Sequence, residues 1–201
     1  MSACALTAAS GCGAARQDKG EPKGSFTMKV LKASFPARQS IAKLVDFELE
    51  VENAGAGTAP NVAVSLDSFY YTENYPHLAA DKRPIWVVES GPGPIATTLV
   101  ETQTITPPGG GQTAYVSTWA LGPLAPGRTR RFVWRVAPVK GGTHTVTYTV
   151  GAGLAGRAKA RLANGRPVRG RLVANIAPRP PGRHVDPATG RVVEGARPLI
   201  P

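Results

Sequence analysis

Cysteine is nearly absent from this sequence: of 201 residues only Cys4 and Cys12 are cysteine, and both precede the part of the chain that carries a strand pattern. No disulfide is therefore expected to staple the core. Aromatic residues make up only 6%, and no apolar run approaches the roughly 18 residues that a membrane-spanning helix needs. His77, His144 and His184 are too scattered for a metal triad. No Asp or Glu occurs between Glu101 and Asp186, which matters for one motif. Gly151-Ala152-Gly153-Leu154-Ala155-Gly156 has the glycine spacing of a dinucleotide loop, but the acid that would bind a ribose is missing, as is the preceding βαβ half. It reads as a turn. No serine stands in a nucleophile elbow, so neither a catalytic residue nor a cofactor can be named.

What is abundant is glycine, with 23 residues, and proline, with 19, a composition that favours many short strands joined by punctuated turns. Strand periodicity is clearest at Val45-Asp46-Phe47-Glu48-Leu49-Glu50-Val51, apolar at every odd position and acidic at every even one. Phe26, Met28 and Val30 form an earlier alternation that ends near Pro36, where proline cannot donate to a ladder. Val62, Val64 and Leu66 resume it after the turn Asn53 to Gly57. Further strands are expected at Tyr115 to Leu121, at Phe132, Trp134 and Val136, at His144, Val146, Tyr148 and Val150, and at Leu172, Ala174 and Ile176. About seven short antiparallel strands predict an all-β, immunoglobulin-like sandwich over residues 25–177.

Two segments flank that domain and one interrupts it. Residues 1–24 read as the remnant of a signal followed by a disordered tether. Small apolar residues from Ala3 to Ala9 lead into Ala9-Ser10-Gly11-Cys12, which resembles the end of a bacterial lipoprotein signal and makes Cys12 the candidate for lipid attachment. Residues 178–201 form a Pro- and Arg-rich tail in which Asp186-Pro187 and Gly190 allow a small hairpin. Residues 68–112 are an insertion too long for an ordinary strand connection. It carries Tyr70, Tyr71, Tyr75 and Trp86, aromatic candidates for a binding surface; the competing reading makes Ile85 to Val88 an edge strand and the tyrosines a cover for the sandwich.

Charge is divided along the chain. Residues 1–100 hold 9 basic and 10 acidic side chains, and residues 101–201 hold 15 basic and 3 acidic. Arg128, Arg130, Arg131 and Arg135 make a candidate basic face around the Phe132 strand. Asp46, Glu48 and Glu50 share one strand face and would hold calcium only if loops added ligands, so they are read as a solvated face.

The turns also carry a family resemblance. Phe47-Glu48-Leu49-Glu50-Val51-Glu52-Asn53-Ala54-Gly55, followed by Ala59-Pro60-Asn61-Val62-Ala63-Val64, resembles the opening of bacterial CARDB (cell-adhesion-related) and DUF11-like immunoglobulin-fold modules. Leu121-Gly122-Pro123-Leu124-Ala125-Pro126-Gly127 before Phe132-Val133-Trp134, and Gly141-Gly142-Thr143-His144-Thr145-Val146, are similar to their later turn and strand. The resemblance implies surface or secreted proteins with adhesive or scaffolding roles and brings no catalytic residue. The expectation is an extracytoplasmic, non-catalytic module, anchored through Cys12 or secreted, whose partner is a protein or an anionic envelope polymer. The alternative is a cytoplasmic nucleic-acid binder using the basic half.

Overall fold

A computed structural model describes residues 20–70, 84–93, 117–186 and 188–195. Among them there is no helix; the chain forms an immunoglobulin-like sandwich of two sheets. In chain order the strands are β1 (Gly24–Ser34), β2 (Arg38–Ser40), β3 (Val45–Asn53), β4 (Ala63–Leu66), β5 (Phe69–Tyr70), β6 (Trp86–Ser90), β7 (Thr118–Ala120), β8 (Thr129–Pro138), β9 (Gly142–Gly151), β10 (Ala158–Arg161), β11 (Arg169–Ala177), β12 (Arg183–Val185) and β13 (Val192–Glu194). One sheet has the order β10-β1-β3-β8-β6-β5 and the other β2-β11-β9-β4-β7; β12 and β13 pair as a separate hairpin.

The alternations legible in the sequence are the ones that build the core. Phe47, Leu49 and Val51 of β3, Phe132, Trp134 and Val136 of β8, and Val146, Tyr148 and Val150 of β9 are all buried. Their intervening residues point outward, as a period of two requires when one face of a sheet meets another. Pro36 ends β1 as expected, and the structure shows what that break does: β1 belongs to the first sheet and β2 to the second, so the chain changes sheets there. Once across, Arg38–Ser40 run parallel to Asn175–Ala177 of β11.

Residues 68–112 are not loop throughout, because β5 and β6 fall within them. β6 pairs antiparallel with β8, through Trp86 opposite Pro138 and Val88 opposite Val136, and extends the first sheet. Among the described residues eleven strands therefore make the sandwich, where the sequence predicts about seven. The additional β2, β5 and β10 are two to four residues long, too short to show a period.

Two glycine-containing turns meet at one end of the sandwich, and Asn53 joins them. Its amide Nδ2 donates to Gly57 O at 2.9 Å and to Leu124 O at 2.7 Å, while its Oδ1 accepts from the Gly55 N–H at 3.0 Å. Its backbone adds Gly127 N–H to Asn53 O at 2.7 Å. The side chain is fully buried, so each of these groups would lose its partner without regaining water. Asn53→Asp keeps the acceptor but removes both donors and faces two carbonyls with a charge. It is expected to destabilise the domain by about 1–3 kcal/mol or more in denaturant unfolding, and Asn53→Ala by a comparable amount.

Candidate anion-binding interface

The outer face of the first sheet is an ion-pair ladder. β3 contributes Asp46, Glu48, Glu50 and Glu52, and its neighbours contribute bases: Lys29 lies opposite Glu52 and Lys32 opposite Glu50 on β1, while Arg131 lies opposite Glu50 and Arg135 opposite Asp46 on β8. Arg135 grips Asp46 with two bonds, Nε to Oδ1 at 2.9 Å and Nη2 to Oδ2 at 3.2 Å. Glu48 takes Lys32 Nζ at 2.6 Å on Oε2 and Arg131 Nε on Oε1. The hydrogen bonds from Lys32 and then Arg131 hold the Glu48 carboxyl below its ordinary range. Asp46 and Glu48 are thus ion-paired, and Glu50 and Glu52 lie in register with bases of the two flanking strands. Among the described residues no group of three or more metal-ligating side chains comes together.

The four candidate arginines do not form one patch. Arg131 and Arg135 share the outer face and line a surface cleft of about 430 Å³ with Asp46, Val133 and Ser90 to Gly93. Arg130 lies on the opposite side of β8, where its Nη2 donates to Pro123 O at 3.1 Å; Arg128 is exposed in the turn before the strand. Trp86 stands in the core with no exposed surface, and its indole N–H donates to Gln39 Oε1 at 2.7 Å. Cys12, Tyr71 and Tyr75 lie outside the described residues, as does the side chain of Tyr70. His144 is held within the fold: its Nε2 donates to Gly141 O at 3.0 Å and its ring packs edge-on against Trp86.

The second sheet presents a different outer face. On β9 the outward residues are Thr143, Thr145, Thr147 and Thr149, and on β11 they are Arg169, Arg171, Val173 and Asn175. Arg169 stands opposite Thr149, Arg171 opposite Thr147, and Asn175 lies between Thr143 and Arg38 of β2. All three arginines are exposed, and none forms an ion pair with a described residue. The acid on this side, Asp67, receives the Thr147 N–H at 2.9 Å and the Ser68 hydroxyl at 2.6 Å. Sequence reasoning missed this surface. Its signal was the phase opposite to Leu172, Ala174 and Ile176, which puts Arg169 and Arg171 outward; Arg38 joins them only through a parallel pairing.

No family model matches the sequence, and no curated protein matches it either. Among solved structures the fold is similar to a CARDB domain from Pyrococcus furiosus, solved in complex with di-metal ions, at 14% identity and a TM-score of 0.43 over 76% of this chain and 94% of that one. It is also similar to Escherichia coli alpha-2-macroglobulin, at 13% identity and a TM-score of 0.42 over 83% of this chain but only 21% of that one. The CARDB-like module whose turns the sequence resembles is thus among the structures with a similar shape. Neither likeness bears on function.

Neutralising Glu48 tests the paired face directly. Glu48→Gln frees Lys32 and Arg131 from their shared carboxylate, so the variant is expected to elute from a heparin column at higher salt than the wild type. Unchanged elution would mean that the ladder does not mask these bases.

Proposed function

We propose that this chain is a non-catalytic binding and scaffolding module of the bacterial cell envelope, anchored through a lipid on Cys12, that holds an anionic envelope polymer on the outer face of its second sheet. The observation that carries the proposal is the contrast between the two faces. On the first sheet Lys32, Arg131 and Arg135 are paired with Glu48 and Asp46 of β3, whereas Arg38, Arg169 and Arg171 stand exposed beside a row of threonine hydroxyls. A flat, extended face of this kind suits a chain-like ligand with repeating phosphate or carboxylate groups. Arginine offers paired donors to each such group, and threonines hydrogen-bond the polymer between charges. Individual contacts are weak and screened by salt; repetition along the polymer supplies the affinity.

Retention on purified envelopes separates the two faces. Arg169→Glu with Arg171→Glu is expected to lower apparent affinity by about tenfold and to flatten its dependence on salt. Arg131→Glu with Arg135→Glu is expected to change it little. The reverse order would move the site to the cleft at Ser90 to Gly93. Tighter binding to duplex DNA than to envelopes would favour the nucleic-acid reading, and an unmodified Cys12 in intact-mass analysis of the native protein would remove the anchor.

A further inference from the structure

The glycine-rich hexapeptide that fails as a dinucleotide loop holds an anion nonetheless. Glu21, only 8% exposed, lies ahead of β1 and sends its carboxylate into the connection between β9 and β10. Oε2 accepts the N–H groups of Leu154 at 2.8 Å and Ala155 at 2.7 Å, and Oε1 accepts that of Ala158 at 2.7 Å. Successive main-chain N–H groups converging on one point make an anion-binding concavity. The glycines build it: a Cβ on Gly153 would overlap the carboxylate itself, and Gly156 adopts φ +74°. Burial pushes the Glu21 carboxyl up, but the N–H groups of Ala158, Ala155, Leu154 and Arg157 outweigh it and hold the group below its ordinary value.

We infer that the loop Gly153 to Ala158 is a carboxylate-binding site whose resident ligand is Glu21, and that this contact fastens the N-terminal segment to the end of the sandwich. Glu21 itself borders a cleft of about 440 Å³, together with Gly20, Pro22, Pro60, Asn61 and Gly122. Glu21 is the one titratable side chain among the residues that line it. Among the described residues the charged side chains nearest in sequence to Glu21 and to the loop are Lys23, Arg157 and Lys159, all exposed, and Glu21 forms no salt bridge, so the carboxylate is held by main-chain donors. Replacing Glu21 with alanine therefore vacates a site shaped for a small carboxylate. One consequence rests on anchoring through Cys12, although the site itself does not. The nine residue steps from Cys12 to Glu21 reach at most about 30 Å, which would hold the turn end of the sandwich next to the membrane.

The test is thermal unfolding of full-length Glu21→Ala with formate, acetate or chloride added. The variant is expected to melt several degrees below the wild type, with the loss reversed saturably by formate and acetate but not by chloride, and with the wild type indifferent to all three. Equal melting temperatures, or equal rescue by chloride, would overturn the assignment. Gly153→Ala supplies a second route that does not depend on rescue. Because its methyl group occupies the carboxylate's place, Glu21→Ala and Gly153→Ala together should cost no more than the larger single loss, and additive losses would overturn the assignment. A folded-state pKa below the unfolded one adds stability that is present above the ordinary carboxylate range and lost as pH falls through the folded value. The wild type's advantage over Glu21→Gln should accordingly shrink in acid; an advantage constant with pH counts against an ionised ligand. Loss of the Cys12 lipid would leave every one of these results unchanged.

Discussion

The contact between Phe47 of β3 and Trp134 of β8, ring centroids 5.4 Å apart, is the point from which the core spreads. Trp134 meets Trp119 at 5.5 Å and stacks on Phe132 at 5.8 Å; Phe47 meets Phe35 at 5.5 Å, Phe69 at 5.6 Å and Tyr148 of the facing sheet at 6.3 Å. Phe35 and Phe69 then carry the series to Trp86. Every tryptophan of the chain and four of its five phenylalanines take part. A sequence with so few aromatics has placed nearly all of its Phe and Trp in one continuous cluster. In antibody-type sandwiches a disulfide ties the two sheets beside a buried tryptophan. Both cysteines here precede β1, and ring packing between Phe47 and Tyr148 and between Trp134 and Trp119 joins the sheets instead. Each buried ring contributes about 1.5–3 kcal/mol through the area it removes from water, and favourable edge contacts add to that.

At the end of the sandwich the same economy applies to polar groups. Asn53 binds its own turn and the Leu124 turn; Glu21 satisfies three main-chain donors of the Gly153 loop. Main-chain groups in irregular segments must find partners once water is excluded, and here single side chains supply them across more than 70 residues of sequence. These contacts set the residue types at those places by donor count at Asn53 and by room for an approaching carboxylate at Gly153.

Much of this fold was legible because β3, β8, β9 and β11 are long enough to display a period of two and are punctuated by glycine and proline. What stayed hidden has a physical reason in each case. The parallel pairings of β1 with β10, β2 with β11 and β5 with β6 join residues far apart in sequence or too few to carry a pattern. For Trp86 the sequence leaves two readings open, recognition residue of a long aromatic insertion or member of a strand at Ile85 to Val88; its pairing opposite Pro138 and its bond to Gln39 place it in a strand and in the core. The Arg128 to Arg135 cluster suggested one basic face, yet the alternation that buries Phe132 and Trp134 also sends Arg130 and Arg131 to opposite sides. Glu21 had no local signal beyond being an acid in a small polar run, since its partners lie more than 130 residues away.

The two outer faces show how one chain can be strongly basic without being uniformly so. Exposed ion pairs add little stability, so the ladder on β1, β3 and β8 matters chiefly for what it does to the field: it cancels the bases of the first sheet locally. No acid lies between Glu101 and Asp186, so β9, β10 and β11 bring none to offset their own bases. Lys159 and Arg161 fall on the edge strand β10, and Arg38 on the short edge strand β2. Charge on an edge strand discourages pairing with another sheet. On the second sheet Arg38 joins Arg169 and Arg171 in concentrating positive potential beside the threonines of β9, whereas Lys159 and Arg161 add theirs at the far edge of the first sheet.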